Sequence, residues 1–117
     1  MLNLPAHGRI VLCASPVDMR KSFNGLSSIV RNSFSMQPLS GDLFVFLNSG
    51  RSLMKLLWWD TGGFCILAKR LEQGRFRLPV INKGVTTLEV DRVLLAMIFD
   101  GIEVCNVKRL KRYSPHL

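Results

Sequence analysis

The chain has 117 residues, 48% of them hydrophobic, which suits one domain with a real core and argues against disorder. Sixteen Lys and Arg against eight Asp and Glu leave a formal charge of +8, an excess that suggests a polyanionic partner, nucleic acid ahead of an anionic membrane surface. No apolar run approaches the ~18 residues that cross a bilayer, and Met1-Leu2-Asn3-Leu4-Pro5 lacks the opening of a secretory signal, so a cytoplasmic protein without a membrane partner is expected.

Arg9–Cys13 is short and β-branched and reads as a strand. Ser15-Pro16-Val17-Asp18 has the residue types of a helix start, and Met19, Phe23, Leu26 and Val30 then recur at helical spacing as a core stripe that leaves Arg20, Lys21 and Arg31 outside. Pro38, Ser40 and Gly41 close this segment as a loop. Cys13 and Cys65 are expected as small core residues. With Cys105 they are too few and too far apart for a disulfide framework or a zinc site.

From Leu43 the period becomes strand-like. Leu43–Leu47, Leu53–Trp59, Phe64–Leu71 and Arg75–Leu78 are separated by turn-forming residues, which predicts an antiparallel meander. A tip at Ser49-Gly50 would pair Phe46 with Leu53 and Phe44 with Lys55. A four-residue second turn would pair Trp59 with Phe64 and Lys55 with Ala68, and a Gln73-Gly74 tip would pair Arg70 with Arg77 and Glu72 with Arg75. One face then collects Leu43, Val45, Leu47, Met54, Leu56, Trp58, Cys65, Leu67, Leu71, Phe76 and Leu78, interrupted by Lys69. The opposite face carries Phe44, Phe46, Leu53, Leu57, Trp59, Phe64 and Ile66 on one side, and Lys55, Arg70, Glu72, Arg75 and Arg77 on the other.

A second helix is expected from Thr86, with Glu89 as its capping partner, an apolar stripe of Val90, Val93, Leu94, Met97 and Ile98, and a stop at Gly101. The expected fold is α+β: an antiparallel meander of about four to five strands with two helices packed on one face. Residues 1–103 would form a single domain and 104–117 a basic C-terminal tail.

Four stretches carry a family resemblance. They are Asp18-Met19-Arg20-Lys21 with Phe23 and Gly25-Leu26; Leu43-Phe44-Val45-Phe46; Lys55-Leu56-Leu57-Trp58-Trp59-Asp60 with Gly63-Phe64; and Lys69-Arg70-Leu71-Glu72 with Gly74-Arg75-Phe76 and Pro79. The sequence resembles the small TnpB-type accessory protein, the second open reading frame product, of the insertion-sequence-sixty-six family of bacterial mobile elements. Leu78 stands where that family often has an aromatic residue. The resemblance implies a protein that assists DNA transposition beside a separate, larger transposase.

Strand transfer itself would need acids converging on divalent metals. Here Asp18 and Glu89 read as helix starts, Asp42 and Asp60 as loop residues, Glu72 as a partner of Arg75, and Asp91 as a first-turn acid. No nucleophile arrangement or phosphate loop is recognisable, so no catalytic residue, metal or cofactor is expected.

Two functional readings remain, with a metal-dependent nuclease a distant third. In the first, Lys55, Arg70, Arg75 and Arg77, joined by Lys108, Arg109, Lys111 and Arg112, lie along a DNA backbone without sequence preference. In the second, Phe44, Phe46, Trp59 and Phe64 form a stacking or partner surface that docks on the transposase or on a second copy, making the protein an adaptor or homo-oligomeric module.

Overall fold

A computed structural model describes Leu4 and residues 8–101. Its elements are β1 (Ile10–Cys13), α1 (Phe23–Asn32), β2 (Leu43–Leu47), β3 (Leu53–Asp60), β4 (Gly63–Arg70), β5 (Thr87–Val90) and α2 (Arg92–Phe99). The strands form one sheet in the order β4-β3-β2-β1-β5. β2, β3 and β4 make the expected antiparallel meander, while β1 runs parallel to β2 and β5 antiparallel to β1. The class is α+β, with a mixed sheet.

The Asn48–Ser52 turn fixes the β2–β3 register. Asn48 Oδ1 accepts the N–H of Ser52 at 2.9 Å and of Leu53 at 3.1 Å, and Arg51 takes a left-handed backbone conformation, φ 54°. This longer loop pairs Phe46 with Lys55 and Phe44 with Leu57, two residues away from the expected register. An even shift leaves every side chain on its expected face. The β3–β4 turn pairs Trp59 with Phe64 and Lys55 with Ala68, as expected.

The predicted core face is the core. Leu43, Val45, Leu47, Met54, Leu56, Trp58 and Phe76 pack with Ile10, Leu12 and Val90 and with Leu95 and Ile98 of α2. The other face is not open: Phe44, Phe46 and Leu57 are fully buried with Val11, beneath Leu26 and Val30 of α1. The helices therefore lie on opposite faces, correcting the expectation that both share one. The sheet is apolar on both sides near β2, so each face needs its own cover, and each fully buried Leu or Phe contributes about 1.5–3 kcal/mol.

Three element boundaries also differ. α1 begins at Phe23, because the 18–21 segment forms a turn with Lys21 N–H on Asp18 O. Thr87–Val90, expected as helix, is β5; its β-branched residues pair with β1, and Asp91 is the α2 cap. Arg75–Leu78 is not a strand. Leu71 N–H reaches Ser52 O, the chain bends at Gly74 (φ 78°), and Phe76 N–H bonds Arg51 O at 2.7 Å. The segment must cross the end of the sheet from β4 to reach β5 at the far edge, which a hairpin on β4 would prevent.

Candidate nucleic-acid interface

β1 and β2 finish, β3 begins and β4 finishes at the same end of the sheet. The loops gathered there are 14–22, 48–52 and 71–86. They carry Arg20, Lys21, Arg51, Arg75, Arg77 and Lys83, with Arg70 at the adjoining end of β4. The two acids of these loops are both paired: Asp18 with Arg20 and Glu72 with Arg70. Glu72 was expected to pair with Arg75. It meets Arg70 because the hairpin that would have brought Arg75 opposite does not form. At the far end Asp42, Asp60 and Asp91 lie with Arg9 and Arg92, so positive charge is in excess at the loop end and close to balanced at the other.

Lys55 crosses beneath the 19–21 segment, and its Nζ donates to Met19 O and Lys21 O, each at 2.8 Å. It is half-buried, and its ammonium is committed to backbone carbonyls. Those bonds hold the Asp18-Met19-Arg20-Lys21 turn against the sheet. Within the turn, Asp18 accepts from the Arg20 backbone N–H at 2.9 Å and from its guanidinium at distances down to 2.7 Å. The Arg20 guanidinium, then its backbone N–H, hold the Asp18 carboxyl down to about 2. The side chain of Lys21 runs over Gly25, where an added Cβ would come within 3.0 Å of Lys21 Cβ. An open cleft of about 550 Å³ lies between this turn and the β2–β3 loop, lined by residues that include Pro16, Asp18, Arg20, Asn48 and Ser49.

The expected site residues separate into groups. Arg70, Arg75 and Arg77 are exposed at the basic end. Lys55 is near them but is used internally. Phe44 and Phe46 are fully buried, so they present no stacking or docking surface. Trp59 and Phe64 are half-buried at the opposite end, in an edge-on pair with ring centroids 5.1 Å apart. Six residues along β3 separate Leu53 from Trp59, or about 20 Å, so the aromatic pair and the basic loops are distinct surfaces. Lys108, Arg109, Lys111 and Arg112 lie outside the described residues.

The sequence reading missed two features. It placed Phe23 in the core, but that residue, two positions after Lys21 in the chain, is 46% exposed. Met19, from the preceding turn, packs against that cluster instead. It also read Asp42 as an ordinary loop acid. Asp42 is buried at the start of β2 and accepts from Arg9 N–H at 2.8 Å and from the Arg9 guanidinium at 3.1 Å. Burial pushes its carboxyl up, but the Arg9 and Ser40 hydrogen bonds and the Arg9 charge outweigh that and hold it below its ordinary value. The spacing of 33 residues between Arg9 and Asp42 gave no local signal. Among the described residues, no three His, Cys, Asp or Glu side chains come together as a metal site, and no helix is long and apolar enough to cross a membrane.

A family model described as "IS66 Orf2 like protein" matches residues 8–109, nearly the whole chain. The chain belongs to that family. Its IS66 Orf2-like relatives include two proteins of Sinorhizobium fredii (strain NBRC 101917 / NGR234). "Uncharacterized protein y4jC" is 30% identical over 106 residues, covering 90% of this chain and 89% of the relative. "Uncharacterized protein y4hO" is 34% identical over 103 residues, covering 88% of each. No solved structure matches. Membership fits an accessory protein of transposition, and the family is not a known enzyme class.

Proposed function

We propose that this protein is a non-catalytic accessory of transposition that holds DNA by its phosphates through the basic end of the sheet, beside the element's separate transposase. The observation that supports this is the excess of positive charge at one end: exposed Arg and Lys of the 14–22 and 71–86 loops gather there with Arg70 and the half-buried Arg51, and both acids of those loops are already ion-paired. Each described acid at the two ends with an assigned partner serves structure, Asp42 tying Arg9 and Asp91 capping α2, which supports a role without catalysis. Loops that present cations without a helix aimed at a groove favour backbone contacts over base reading.

A salt titration of binding to element-end duplex tests it. With about six phosphates neutralised, affinity falls roughly 10³-fold between about 50 and 200 mM salt. The Arg75→Ala/Arg77→Ala double variant should reduce the number of neutralised phosphates by about two. Absence of binding at about 50 mM salt sinks the proposal.

A second reading, docking on the transposase or on a second copy, is supported by β4. Among the described residues no strand pairs with its outer edge, and Phe64, Cys65, Ile66 and Leu67 along it are half-buried. Such an edge invites pairing with another chain. A protein that stays monomeric and never co-elutes with the transposase, under conditions where transposition proceeds, rules this out.

A further inference from the structure

Most aromatic rings in the described residues are taken up by the fold. Phe44, Phe46, Phe76 and Trp58 are buried in the core. Phe34 stacks on Phe46 with centroids 6.1 Å apart, Trp59 and Phe64 pack on each other, and Phe99 lies under the Lys69 ammonium. Phe23 differs. It is 46% exposed, it sits outside both core clusters, and none of the aromatic pairs includes it.

Its surroundings are cationic and rigid. Arg20 and Lys21 stand three and two residues before it, the first held by Asp18 and the second laid along Gly25. Lys55 pins the carbonyls of Met19 and Lys21 from below, so the turn that carries Phe23 is anchored to the sheet. A ring kept in water costs the stabilisation that burial would give it. A ring next to oriented cations is also the arrangement that holds unpaired nucleotides: bases stack on the aromatic face while cations meet the backbone.

We propose that Phe23 is a base-stacking residue, and that the Arg20–Lys21–Phe23 surface binds an unpaired stretch of DNA. This rests on the reading that the basic end contacts DNA, and it adds the class of nucleic acid. A duplex keeps its bases stacked on one another and offers Phe23 nothing beyond phosphate contacts, so the ring matters for single strands alone.

The test compares a labelled single strand of about 20 nucleotides with the duplex of the same sequence, by fluorescence anisotropy at low salt. Phe23→Ala and Phe23→Leu should weaken single-strand binding about 5- to 100-fold, the usual range for losing one stacked base. Phe23→Tyr keeps a ring and should bind within about twofold of the parent, as should all three variants on duplex. Unfolding in urea checks that each variant is folded, and exposure of the ring predicts that each is. The inference is overturned alone if Phe23→Leu binds single strands like the parent, or if every variant loses equally on both DNAs, while the parent still binds in a salt-dependent way. Failure of the parent to bind either DNA overturns this inference and the DNA reading together.

Discussion

Replacing Lys55 by methionine keeps the length and apolar stem of the side chain and removes its three donors. The structure assigns two charge-assisted bonds to those donors, 2.8 Å to Met19 O and 2.8 Å to Lys21 O. Hydrogen bonds to charged groups contribute about 1.5–3 kcal/mol each. One carbonyl is at an exposed position and can recover a water, so the pair should be worth about 2–3 kcal/mol rather than the full sum. In a domain of this size that is a fall in Tm of about 8–15 °C. Urea unfolding followed by the fluorescence of buried Trp58 measures it. On the proposed DNA reading, the affinity of the folded variant should fall far less than that of the Arg75→Ala/Arg77→Ala protein. If Lys55→Met instead loses less than about 0.5 kcal/mol of stability but most of its DNA affinity, Lys55 is a free surface cation and the anchoring argument fails.

Asp91→Ala removes the side chain that accepts Leu94 N–H at 2.7 Å and should cost about 1 kcal/mol in the same assay. Asp18 should titrate near 2, well below 3.8, by NMR. Because the folded value is depressed, its contribution is present above the ordinary carboxylate range and is lost as pH falls toward 2. A midpoint at or above 3.8 would mean the Arg20 pair does not persist in solution. Gly25→Ala in a helix normally gains about 1 kcal/mol. Here the added Cβ meets Lys21 Cβ at 3.0 Å, close to backbone that Lys55 holds. The gain should therefore be absent in urea unfolding, and a full gain would show that Lys21 is not held there.

Side-chain alternation was readable because a period of two survives errors in register. The β2–β3 pairing differs from expectation by two residues, yet the core face from Leu43 to Leu78 is as read. The cover for the second face was not readable. Phe44 and Phe46 look the same in sequence whether they face solvent, a partner or α1, and only the crossover of α1 between two parallel strands decides it. β5 was missed for a related reason: Thr87–Val90 pairs with β1, more than seventy residues earlier, and that partner leaves no local mark. At the candidate interface, Arg70, Arg75 and Arg77 were named from charge and an expected hairpin; the hairpin does not form, yet all three are exposed at one end of the sheet. Phe23 was assigned to the core because it fits the 3.6-residue period of Leu26 and Val30. Periodicity could not register that Met19 packs against that cluster first.

The lysines of β3 and β4 explain why charge on this sheet divides as it does. Lys55 on β3 and Lys69 on β4 point to opposite faces, and each ties one helix region to the sheet through main-chain oxygens. Lys55 holds the turn that leads into α1, and Lys69 donates to Phe99 O at the end of α2, 2.7 Å away, with its ammonium 4.3 Å from the Phe99 ring centroid. A lysine suits both places, because its stem can lie along apolar neighbours while a compact ammonium meets carbonyls from several directions. A guanidinium is planar and larger, so arginine at either position would have to displace the segment it ties. Arg70, Arg75 and Arg77, by contrast, are exposed, where a rigid fork suits phosphate. On the proposed DNA reading, these arginines and the two tying lysines serve different purposes. Lys55→Arg and Lys69→Arg should destabilise the fold, whereas Arg75→Lys and Arg77→Lys should leave it intact and weaken DNA binding less than alanine does.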